Sequence, residues 1–132
     1  ACEFHYDENG EADWPANAIN YTGKTQYLFR INKGVLDVTN VLDLNRYTPE
    51  HLRPVPFPRM IFLGDGATDI PIMRLTRRNG GRSLAVYTDR ESVRNLLSEG
   101  RVDAIVPADY RPGSELDAFV MRRLREIAEE TL

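Results

Sequence analysis

Three short apolar runs, "RMIFL" at 59–63, "SLAVY" at 83–87 and "VDAIV" at 102–106, are separated and followed by segments of helical pattern. Each run is too short for a buried helix and lacks the alternation of a half-exposed strand. Each therefore reads as a strand covered on both faces. Strand, helix, strand, helix, strand, helix restricts this half of the chain to an α/β fold. The expected form is a Rossmann-like parallel sheet with helices on both faces and right-handed crossovers. At 132 residues the chain has the length of one domain, 1–132.

The helices carry their own start and stop signals. The first after "RMIFL" is expected from Thr68, with Pro71 tolerated in its opening turn, to the "NGG" at 79–81. The next is expected from Thr88, with Glu91 completing a capping box, to Gly100. The last spans 114–132 with Leu116, Phe119, Val120, Leu124, Ile127 and Ala128 as one apolar stripe. Upstream, Tyr27, Leu28 and Ile31 are at helical spacing within 22–34, and Gly34 is placed to end that helix. Asn9-Gly10 lies between two partly alternating stretches and predicts a hairpin. Residues 35–58 form a connector with a short helix at 38–44, because four prolines among the twelve residues 47–58 forbid regular structure over much of it.

Composition removes several function classes. A net charge of -3 leaves no basic footprint for nucleic acid, and no apolar run approaches the roughly 20 residues of a membrane span. The single Cys2 excludes an internal disulfide, and with only His5 and His51 beside it there is no zinc-ligand spacing. These features predict a cytoplasmic protein. Trp14 beside Pro15 reads as a packed hairpin aromatic or as part of a substrate entrance. "RLTRRNGGR" gathers Arg74, Arg77, Arg78 and Arg82 at a helix end, where cations complement the dipole and a phosphate-rich partner would also fit.

The chemistry concentrates in "IFLGDGATDIP", residues 61–71. Ligands of open α/β sheets gather beyond the carboxyl ends of the strands, where Gly64-Asp65-Gly66 is expected. The two glycines permit a sharp exit and close approach of a ligand, leaving Asp65 on a rigid strand tip. Asp69 falls in the first helical turn. Two carboxylates facing one cleft ionise together most readily around a hard cation, and oxygen ligands of this kind suit Mg²⁺. The same residues also fit a plain strand-to-helix turn with a carboxylate at the helix N-terminus. They do not fit a dinucleotide fingerprint, whose third glycine is replaced by Asp69, and "GKT" at 23–25 lacks the upstream glycine of a phosphate loop.

The 28 residues "MIFLGDGATDIPIMRLTRRNGGRSLAVY" resemble the fourth motif region of the haloacid dehalogenase-like (HAD) hydrolase superfamily, an apolar strand ending in G-D-G-x-x-D and followed by a helix. "NYTGKTQYLFRINKG", residues 20–34, resembles the third motif segment of HAD phosphatases, with a lysine near the start of a helix. The resemblance implies that Asp65 coordinates a catalytic Mg²⁺ and that Asp69 supports the site directly or through water. Gly64 and Gly66 would shape it, and Lys24, with Lys33 as the alternative, would neutralise charge on a small phosphorylated substrate. The family's aspartate nucleophile lies in an N-terminal D-x-D motif, and no D-x-D occurs in this sequence.

The chain therefore resembles the C-terminal portion of a HAD protein, incomplete because the nucleophile strand is absent. The family fold places that strand between the one ending in GDG and the one formed by "ACEFHY". The open edges predict pairing with the missing N-terminal half or dimerisation. Two functions follow. One is a portion of a Mg²⁺-dependent phosphohydrolase that works through a phospho-aspartyl intermediate and is inactive alone; the other is a non-catalytic HAD-like binding or interaction module.

Overall fold

The computed structural model describes residues 2–18 and 24–131. The order is β1 (Cys2–Tyr6), β2 (Ala12–Ala18), α1 (Lys24–Lys33), α2 (Val41–Asn45), β3 (Ile61–Gly64), α3 (Ile70–Arg78), β4 (Arg82–Tyr87), α4 (Arg94–Ser98), β5 (Ala104–Pro107) and α5 (Glu115–Thr131). The three apolar runs form a parallel sheet in the order β3-β4-β5, with Ile61 opposite Arg82 and Leu84 opposite Ala104. Side chains alternate across it. Phe62, Ala85, Tyr87 and Ile105 pack with Met73 of α3 and with Val93 and Leu96 at α4. Leu63, Leu84, Val86 and Val106 pack with Leu116, Phe119 and Val120 of α5. The fold is α/β with helices on both faces of the sheet. Among the described residues, no helix is long and apolar enough to cross a membrane.

A third cluster joins the connector and α1 to α3 through Leu28, Phe57, Met60 and Ile72, with Phe29 edge-on to Phe57 at 5.6 Å. Two cations of α1 hold the connector. Arg30 is 2% exposed and donates to the carbonyls of Val35, Asp37, Val38 and Asn40. Lys33 Nζ donates to the carbonyls of Leu44 and Arg46 at 2.8 and 3.1 Å. Gly34, at φ 72°, turns the chain between them, with Val35 N–H closing onto the Arg30 carbonyl.

Several expectations are corrected. β1 and β2 do form a hairpin, but as a separate two-stranded antiparallel sheet, so the "ACEFHY" strand is not part of the parallel sheet. The expected helix start at Thr22, and with it Gly23, lies outside the described residues. The connector helix begins at Val41 rather than Val38, because Asn40 caps it by accepting the Asp43 N–H at 3.1 Å. Asp89, not Thr88, caps the segment after β4 by accepting the Glu91 N–H, and a 3₁₀ turn at Arg90–Ser92 precedes a shorter α4. Ser114 starts α5 as expected, its Oγ accepting the Asp117 N–H. The apolar stripe of α5 is covered unevenly: Leu116 is buried, Phe119, Val120 and Ile127 are half-buried, and Leu124 and Ala128 are exposed. Seventeen residues extend about 25 Å and outrun the four-residue β5, leaving Leu124 46% exposed. Arg123 is buried instead, donating to the Pro58 carbonyl at 2.6 Å.

Removing the buried guanidinium should release the connector. Arg30→Met is expected to cost about 2–3 kcal/mol in urea denaturation and to open residues 35–40 to limited proteolysis before global unfolding. An unchanged midpoint would remove Arg30 from this role.

Candidate functional site

Because β3, β4 and β5 are parallel, their carboxyl ends share one edge of the sheet. The chain leaves β3 through Asp65-Gly66 into a 3₁₀ turn, Ala67–Asp69, which feeds α3 with Pro71 in its first turn. Asp69 is 6% exposed and occupies the N-cap position, yet its carboxylate does not cap α3. One oxygen, Oδ2, accepts the N–H groups of Asp65 at 3.1 Å and Gly66 at 3.3 Å. The other, Oδ1, accepts from Lys24 Nζ in a close ion pair. Lys24 also donates to Thr68 Oγ1 at 3.3 Å. A lysine at the start of α1 is thus fastened to the loop that follows β3.

Each residue proposed from the sequence now has a location. Lys24 is at the strand tip, whereas Lys33 is committed to the Leu44 and Arg46 carbonyls, nine residues farther along α1. The structure therefore brings Lys24, not Lys33, to Asp69 and the loop after β3. Asp65 is exposed, and its carboxylate makes no hydrogen bond or ion pair within the described residues. Gly64 is required by packing. A Cβ there would sit 2.8 Å from both Asp69 Oδ2 and Met73 Cε. At Gly66 an added Cβ meets nothing within 4 Å, and its φ of -145° suits any residue. The contact of Thr68 with Lys24 had no signal in the sequence beyond its place inside "GDGATD".

A groove of about 320 Å³ runs from this tip between α1 and β3, with Lys24 and Asp69 at its polar end and Tyr27, Ile31, Phe62 and Leu63 along its apolar length. Ile31, expected in the packed face of α1, remains 47% exposed beside it. The fit to a divalent cation is partial. Asp65 has no partner among the described residues that would compete for one, while Asp69 has both oxygens engaged and fits an orienting role. Among the described residues, no three His, Cys, Asp or Glu side chains converge on one point. Mg²⁺ commonly takes one or two protein carboxylates and completes its shell with water and substrate phosphate.

The end of β5 adds a third carboxylate to this edge. Asp109 accepts from Arg111 Nε and Nη2 at 2.9 and 2.8 Å, and these bonds hold its carboxyl down at about 2. The side chains of Cys2, His5 and Trp14 lie outside the description, and His51 is exposed in a 3₁₀ turn.

A protein of Borreliella burgdorferi described as "Uncharacterized protein" is 26% identical over 110 residues, which cover 80% of this chain and 37% of that protein. The chain thus spans little more than a third of that relative's length. No family profile and no solved structure matches it.

Two predictions follow from the geometry. Gly64→Ala should cost about 1–3 kcal/mol by overpacking, whereas Gly66→Ala should be neutral or slightly stabilising, by at most about 1 kcal/mol; equal effects in thermal melts would contradict the packing assigned to Gly64. In an NMR titration, Asp109 should titrate near 2 and return toward 3.8 in Arg111→Gln. Since its folded value is depressed, its contribution to stability is complete above the unfolded value and is lost as pH falls through about 2.

Proposed function

We propose that the chain carries the lysine and aspartate portion of a HAD-type, Mg²⁺-dependent phosphohydrolase acting on a small phosphorylated substrate, in a cytoplasmic setting. The observation that carries this reading is the pairing of Lys24 with Asp69 across 45 positions of sequence, beside Asp65, whose carboxylate has no partner among the described residues at the strand tip. In this reading the Lys24 ammonium offsets negative charge on the phosphoryl oxygens, and it is pre-oriented by Asp69 and Thr68. Asp65 would hold Mg²⁺, which supplies Lewis-acid stabilisation of the phosphoryl group.

The nucleophile comes from outside this sequence. An aspartate on a strand added to the free side of β3 would attack phosphorus and release the alcohol of the substrate ester. Water would then cleave the acyl phosphate. The chain alone is inactive in this scheme, and the same edge is where it meets the remainder of a longer protein or a second copy. The alternative is a non-catalytic HAD-like module, in which the same cleft binds an anion or a metal or the sheet edge serves a partner.

Turnover of an aryl phosphate by the full-length protein with Mg²⁺ separates the two. Asp65→Asn and Lys24→Met should each lower kcat by about 100-fold or more, and the 132-residue chain should be inert. A full-length protein that has no phosphatase activity, or keeps it within twofold in both variants, would leave the binding module as the better reading.

A further inference from the structure

The arginine cluster of α3 is not used by the proposed phosphohydrolase. Arg74, Arg77 and Arg78 line a groove of about 410 Å³ between α3 and the end of α4, closed on the far side by Glu99 and Gly100. Arg77 is fixed there, donating through Nη1 to the Gly100 carbonyl and through Nε to Asp103 at 3.3 Å. Glu99 is already paired with Arg101 at 2.7 Å. Arg74 and Arg78 make no hydrogen bond or ion pair within the described residues, and both also border a second groove against Thr25 of α1.

This arrangement is unfavourable for a bare helix. Like charges three and four residues apart on one helix face repel. The negative end of the helix dipole accounts for cations in the last turn, Arg77 and Arg78, but not for Arg74 one turn earlier. Asp103 offsets the charge of Arg77, and a multivalent anion would offset that of Arg74 and Arg78, with Arg77 held beside it. Guanidinium groups bind phosphate oxygens bidentately, and the groove is lined by no aromatic or aliphatic side chain on which a base or an apolar group would rest. We propose that the groove between α3 and α4 binds a compact polyphosphate group through Arg74, Arg77 and Arg78. The site stands on the C-terminal half of α3, away from Asp65 and Asp69 at the other end of the helix, and goes beyond the reading given above.

Calorimetric titration of the full-length protein with inorganic tripolyphosphate, without divalent metal, tests it. Saturable one-to-one binding that weakens with added salt is expected. Arg74→Ser/Arg78→Ser should weaken it at least about tenfold, while Arg125→Ser, which removes an exposed arginine of α5 outside the groove, should change it less than twofold. Asp65→Asn should leave binding intact, which separates this site from the proposed phosphatase centre. Absence of saturable binding, equal losses in the α3 and α5 variants, or loss in Asp65→Asn alone would each overturn the assignment.

Discussion

The carboxylate of Asp69 ties the loop leaving β3 to the start of α1. One oxygen gathers two backbone N–H groups of the loop leaving β3, and the other holds Lys24 at the start of α1. Buried at 6% exposure, the carboxylate is favourable only because every one of these donors is in place. Its position also dictates its surroundings. Gly64 must lack a side chain so that Asp69 can lie against the strand end, and Met73 fills the space behind it. Loop shape, lysine position and the first turn of α3 therefore depend on one group.

The same logic extends along α1. Its first residue is anchored at the candidate site, while Arg30 and Lys33 in its last turn grip six carbonyls of the connector that leads back to β3. A helix of ten residues is too short to persist by propensity. Its orientation comes from these polar ties at both ends and from Leu28 packing on Phe57, Met60 and Ile72. The irregular connector is thus a structural part of the site: it supplies the carbonyls and the apolar surface that aim α1, and hence Lys24, at the tip of β3.

The strands, the Gly34 stop and the Ser114 start were legible because each rests on local chemistry, a run of buried residues or a cap. So was the placement of Asp65 and Asp69 in the segment that leaves β3 and enters α3. What the sequence did not disclose depended on tertiary geometry. Asp69 reads as a metal ligand or a dipole partner, and its double engagement with backbone and lysine appears only when α1 is packed on α3. Arg30 and Arg123 carry no sequence signal of burial, yet each is buried against carbonyls. The stripe of α5 followed helical period correctly, but Leu124 stays exposed because the three-stranded sheet ends before the helix does. HAD membership itself rests on the two motif segments and remains a proposal.

The sheet edge makes the last connection. Edge strands in natural proteins are blunted by lysine, proline, bulges or cover, because their unpaired backbone groups recruit other strands. Ile61-Phe62-Leu63 has none of these residues and pairs with β4 alone among the described strands. Its composition is that of an interior strand in an edge position. The groove beside it ends at Lys24 and Asp69. A parallel strand added at this edge would bring its own carboxyl end next to Asp65, so completion of the sheet and completion of the site would be a single event. In the proposed phosphohydrolase, the nucleophile and a stable edge would therefore arrive on the same strand.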